Sequence, residues 1–173
     1  MPQSEITDLA VGPAGLKLEG EDRTGTSEEA TDGIPFGVMV CQGTADDGIL
    51  LLNTSAAAMA TKLKGILLFD HHFARNVELD ANGDLAPQAT GAILTEGTCL
   101  VLVEEAVAPG DPVRVRVVVE DDEVPGAFRT GPDDTSDCVN ISKFAQWRSS
   151  ADAGEYAELE INMTMSANAT ADS

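Results

Sequence analysis

The sequence predicts an all-β protein: a small antiparallel β-barrel or sandwich with an extended acidic N-terminal arm and at most one short helix. Three observations predict it. Short runs of Val, Ile and Leu recur at intervals of about ten residues, parted by Gly, Pro, Asn and Asp. Several runs alternate apolar with polar residues, the period of a strand with one buried face. The chain is 43% hydrophobic but only 4% aromatic, so its core must be aliphatic, which suits a pleated sheet. At 173 residues, one domain with a sizeable core is expected. The predicted division is an arm over 1–32, a barrel over 33–163 and a flexible tail over 164–173.

The arm is rich in Gly and acid, with Glu19, Glu21, Asp22, Glu28 and Glu29. Its few apolar residues, Ile6, Leu9, Val11, Leu16 and Leu18, are candidate contacts to a neighbouring subunit. Two readings stay open: an arm that crosses to a neighbouring subunit, or a passive leader without order of its own. The body opens with Ile34–Cys41, where Pro35 sits at a strand start and needs no ladder donor. Asp46-Asp47-Gly48 ends that strand, and Ile49–Leu52 is apolar. In Asn53–Thr61, Thr54 or Ser55 could cap a short alanine helix, with a loop as the alternative.

Leu63–Phe69 is a further apolar strand, with Gly65 at a bulge. His71 and His72 follow it but point to opposite faces of an extended chain, so no metal site is expected there. Asp80-Ala-Asn82-Gly83-Asp84 resembles half a calcium loop, but its glycine falls at the wrong place, and Asn-Gly signals a plain turn. The stretch from Thr98 to Val119 reads as a β-hairpin, with Pro109-Gly110-Asp111-Pro112 as turn chemistry. Val113, Val115, Val117 and Val119 share its core face. Arg114 and Arg116 share the other, near Glu104 or Glu105 or facing a partner, and are candidate contacts. The last strand alternates cleanly, with Ala157, Leu159, Ile161 and Met163 on one face.

Lys+Arg total 10 and Asp+Glu 30, giving a net charge of −20. That excludes phosphate-contact binding of nucleic acid or an anionic membrane, so neither is an expected partner. It suits solubility, a basic partner or a high-salt habitat. Cys41, Cys99 and Cys138 are odd in number and far apart, which predicts buried thiols. The first residues do not resemble a signal peptide, and no run reaches transmembrane length. No nucleophile, base and orienting group can be assembled, so no catalytic residue, metal or cofactor is expected.

The order of motifs resembles the small capsid cement, or head decoration, proteins of tailed phages. The residues are Ile34-Pro35-Phe36-Gly37, Lys64-Gly65-Ile66-Leu67-Leu68, and Gly97 followed by Leu100-Val101-Leu102-Val103. Then come Ala108-Pro109-Gly110-Asp111-Pro112-Val113, Gly126-Ala127-Phe128-Arg129, and Ala145 with Trp147-Arg148-Ser149-Ser150-Ala151-Asp152-Ala153-Gly154. The resemblance covers about residues 33–163. It implies a β-barrel on the outside of a phage head that holds major capsid protein subunits together without catalysis. It also implies a homo-oligomer, with a trimer favoured and a dimer as the alternative. A receptor- or glycan-binding module on the virion is the rival reading, and it wants clustered exposed aromatics, of which one Trp and one Tyr are a poor supply.

Overall fold

The computed structural model describes residues 14–52, 62–69, 79–117, 123–132, 138–163 and 170–171. The described chain is all-β and forms two sheets. The larger contains β1 (Lys17–Ser27), β2 (Met39–Gln42), β3 (Gly48–Leu50), β4 (Leu63–Leu68), β5 (Thr90–Leu102), β9 (Ala145–Trp147) and β10 (Tyr156–Asn162). Their order is β1-β3-β2-β4-β5-β10-β9, and β1 also pairs with β5, so the first five strands close into a ring. The smaller sheet contains β6 (Arg114–Arg116), β7 (Phe128–Arg129), β8 (Cys138–Asn140) and β11 (Thr170–Ala171), in the order β11-β8-β6-β7.

Two cores follow from this arrangement. Val40, Ile49, Leu67 and Ile93 come from successive strands of the ring and pack with Ile34, Val38, Leu85 and Ala89. This cluster is the filling of the ring. The opposite faces of β2, β4 and β5 contribute Met39, Ile66, Ala92 and Leu94 to a larger core, which includes Val113, Val115, Phe128 and Val139 from and beside the smaller sheet. Both faces of β4 are therefore covered, which is why it reads as an unbroken apolar run. β10 has one covered face, and its buried residues are Ala157, Leu159 and Ile161, as the alternation predicts.

Strand β5 changes phase part-way. Ala92 and Leu94 enter the larger core from its first half, Cys99 and Val101 from its second. Even and odd positions can share one face only if a residue is absorbed between them, and the β1–β5 register does shift there, between Glu21 and Asp22. Gly97 pairs with Gly20 in this region, with φ of +131° and +117°. A Cβ on Gly20 would lie 1.9 Å from the Glu96 carbonyl oxygen, and one on Gly97 would lie 2.1 Å from that of Glu19. Only glycine at both positions lets the two backbones approach so closely.

Three expectations are corrected. Residues 17–27 of the predicted arm are strand β1, paired antiparallel with β5 from Lys17↔Cys99 to Thr26↔Thr90. The reason is that a ladder is made of main-chain groups. Lys17–Thr24 stay exposed while their backbone pairs, so acidic composition does not prevent a strand. Secondly, the ring is not wholly antiparallel, because β1 joins β3 in parallel at Thr26↔Gly48 and Ser27↔Ile49. Thirdly, Thr98–Val119 is not a hairpin: β5 pairs with β1, β4 and β10, whereas β6 pairs with β7 and β8 in the other sheet. Val113, Val115 and Val117 are fully buried as expected, but they lie in and beside β6 of the smaller sheet and not opposite β5. Within the predicted tail, Thr170 and Ala171 pair with Asn140 and Val139.

Asp80–Asp84 is the expected turn. The Asp80 carboxylate accepts from the Asn82 amide at 2.8 Å and the Asp84 amide at 3.0 Å, and Gly83 takes φ +88°. Cys41, Cys99 and Cys138 are buried, and burial pushes the Cys99 thiol up to about 12. The helix expected near Asn53–Thr61, the two histidines and Val119 lie outside the described residues.

Candidate functional site

The smaller sheet leaves an open groove of about 620 Å³ against the ring. Its walls come from the chain before β2 (Pro35–Val38), the end of β5 with Glu104, the segment Glu123–Arg129, and Gly154. Ala14 lines it too, where the described chain begins. Gly126 draws the walls together. Its carbonyl accepts from the Met39 amide at 2.9 Å, its amide donates to the Arg116 carbonyl at 2.9 Å, and its φ is +83°. Leu102 at 46% and Val124 at 37% exposure are among the few large apolar side chains left in water. Phe36 is half-buried and meets Phe69 edge-to-face, with ring centroids 5.3 Å apart.

Beside these apolar side chains lies a charged network. Arg116, only 3% exposed, donates from Nε to Glu104 at 2.8 Å, from Nη2 to Glu104 at 2.9 Å and from Nη1 to Glu123 at 2.7 Å. Arg129 donates to Glu104 at 3.3 Å and to the Gly131 carbonyl at 2.9 Å. Planar guanidinium against carboxylate fixes orientation as well as charge. Arg114 donates to the Thr130 carbonyl, and Thr130 and Gly131 donate their amides to Glu105. The network ties the end of β5 to β6 and β7, which gives the groove rigid walls.

Glu105 carries a pH dependence. Burial pushes its carboxyl up, but the Gly131 and Thr130 amides, the Arg129 guanidinium and the Thr130 hydroxyl together outweigh that and hold it below the ordinary carboxylate range. A depressed folded-state value stabilises above the unfolded value and loses that contribution as pH falls through the folded one. Glu105→Gln should therefore lower stability to urea at pH 7. Its deficit relative to the parent should shrink as pH falls below the ordinary glutamate range. An unchanged deficit at acid pH would assign the loss to geometry and not to charge.

Of the described candidate contacts, Leu16, Leu18, Arg114 and Arg116, it is Arg116 that lines the groove, and it is buried beside Glu104 instead of lying on the surface. Leu16 is half-buried and bridges to Phe69, while Leu18 is 46% exposed on β1. Ile6, Leu9 and Val11 lie outside the described residues. Sequence reasoning missed Phe36, Leu102 and Val124. A signal for Leu102 was present: in Cys99-Leu100-Val101-Leu102-Val103 the odd residues fill the core, so Leu102 must face outward although apolar. The lone tryptophan, which a glycan-binding face would need outside, is 2% exposed and donates to the Pro112 carbonyl at 3.1 Å. Among the described residues no group of three His, Cys, Asp or Glu is placed to hold a metal ion.

The family model described as structural cement protein (E217 gp24/Pam3 gp6) matches residues 2–162. A solved chain from "The capsid of Myoviridae Phage XM1" shares the fold with a TM-score of 0.57. The two are 18% identical, and the match covers 87% of this chain and 89% of that one. No curated protein matches. Likeness at that identity speaks for the fold, and the family match, which spans nearly the whole sequence, speaks for the lineage. The chain belongs to the structural cement proteins of phages, capsid-stabilising components of the virion.

Proposed function

We propose that the protein docks on the outer face of the assembled head and holds neighbouring major capsid subunits together without catalysis. It does so as a homo-oligomer, a trimer before a dimer. The observation that carries this reading is the groove, an exposed apolar surface on rigid walls in a protein of net charge −20. Binding that is specific for the assembled shell stabilises it by mass action, by about 2.7 kcal/mol at a hundred times the dissociation constant. Ile6, Leu9 and Val11, with Leu16 and Leu18, serve as contacts to a neighbouring copy, and the exposure of Leu18 supports that use. The surrounding acid keeps decorated particles apart.

Adding the protein to purified heads that lack it should raise the temperature at which the shell melts in calorimetry. Unchanged melting despite saturation would overturn the cementing role. Sedimentation equilibrium should give three times 18.0 kDa, about 54 kDa, and a species that stays at 18.0 kDa would remove the oligomer. Deleting residues 2–13 should leave the β-rich spectrum unchanged and weaken self-association. If self-association is unchanged, the segment is a passive leader.

A further inference from the structure

We infer that the groove is the receptor for an extended apolar segment of the capsid shell protein that carries lysine or arginine beside its apolar residues. The inference rests on the cement reading and specifies the chemistry of its partner.

The charges around the groove are balanced in number but not in exposure. The guanidinium side chains of Arg116 and Arg129 are 4% and 12% exposed, against 22% for Glu104 and 31% for Glu123. The arginines are the more buried partners, holding the walls, while the side chains of Glu104 and Glu123 keep more of their surface toward water. An incoming segment therefore meets an apolar lining of Phe36, Val38, Leu102 and Val124, and beside it a rim whose more accessible charge is negative. Apolar side chains gain by leaving water in such a groove, and a basic side chain at its edge gains from the carboxylates without displacing the buried arginines.

The same field discriminates among occupants. A second copy brings another −20. Residues 1–13 of this chain carry Glu5 and Asp8 and no Lys or Arg. Both meet the rim with the wrong sign. A segment that combines aliphatic residues with a base meets it with the right one, and attraction of that kind also speeds encounter at low salt.

The test uses the full chain and purified undecorated heads, with binding followed by co-sedimentation. Leu102 and Val124 are exposed, so their substitution leaves the core intact, and thermal melting of each variant verifies this. Leu102→Asp should weaken binding to heads at least tenfold. Val124→Lys should weaken it more than Val124→Glu does, because only lysine opposes a basic segment. Wild-type affinity should fall several-fold between roughly 50 and 500 mM salt, over which the screening length shortens about threefold. If the wild type binds heads but all three variants bind equally well, the groove assignment is overturned and the cement reading stands on another surface. Binding that strengthens with salt, or a Val124→Lys variant tighter than Val124→Glu, overturns the basic partner. A variant that loses self-association but keeps head binding assigns the groove to a second copy and overturns the proposal. No binding by the wild type overturns the cement reading itself.

Discussion

A chain lacking residues 1–27 is expected to lose its native fold, whereas one lacking only residues 2–13 keeps it. The strand removed in the first case closes the ring. Gly25 of β1 faces the filling so closely that a Cβ there would lie 2.2 Å from Ile93 Cδ1 and 2.8 Å from Ile49 Cγ2. Taking β1 away opens Ile49, Ile93 and their neighbours to water, at about 1.5–3 kcal/mol for each large side chain exposed. The β1–β5 ladder goes as well, at about 0.5–1.5 kcal/mol per hydrogen bond. Together these approach the whole stability of a domain, about 5–15 kcal/mol. The expected result is a broad, non-cooperative urea transition. Gly25→Leu tests the same contact without deletion and should cost about 1–3 kcal/mol by overpacking. Native-like melting of the 1–27 deletion would show that β1 is an appendage and that the folded unit begins near Gly33.

Replacing Arg116 by alanine should cost about 2–4 kcal/mol of stability. Breaking a buried ion pair by removing one partner costs about 3–5 kcal/mol, because the other charge is left without compensation. Here two carboxylates lose their Arg116 contacts together, Glu104, which keeps Arg129 at 3.3 Å, and Glu123, and at 22% and 31% exposure water screens part of the loss. Arg116→Met should retain more stability when combined with Glu104→Gln and Glu123→Gln than alone, since the triple change removes the charges with the guanidinium. Urea unfolding at pH 7 measures both. A loss below about 1 kcal/mol for Arg116→Ala would place the network with ordinary surface pairs, the value that strand alternation alone suggests.

That difference in value shows where sequence reasoning reaches and where it stops. Alternation placed Val113, Val115 and Val117 in the core, where they are buried, and left Arg114 and Arg116 near Glu104 or Glu105 or facing a partner; in the structure Arg116 lies against Glu104. It could not say that Arg116 is covered, because its contacts with Glu123 and the pairing of β6 with β7 follow from tertiary folding and not from the period of one strand. The candidate groove was legible only in part, through Arg116 and the outward phase of Leu102. Phe36 and Val124 meet across it from segments almost ninety residues apart, and nothing local records that approach.

By itself the sequence determined the all-β class, the buried cysteines, the faces of β10, the turn at Asp80–Asp84 and the kinship with phage cement proteins. Each is local: a period of two, a turn dipeptide, or an order of short motifs. The tertiary structure alone decided strand partnership. It sent the two halves of the Thr98–Val119 stretch into different sheets, turned an acidic arm into the strand that closes a ring, and set Gly20 against Gly97. The physical reason is that side-chain pattern dictates which face a strand buries, but main-chain hydrogen bonds are alike in every strand. Partner choice is therefore settled by what fits across the fold, and here two glycines and one strand edge settled it.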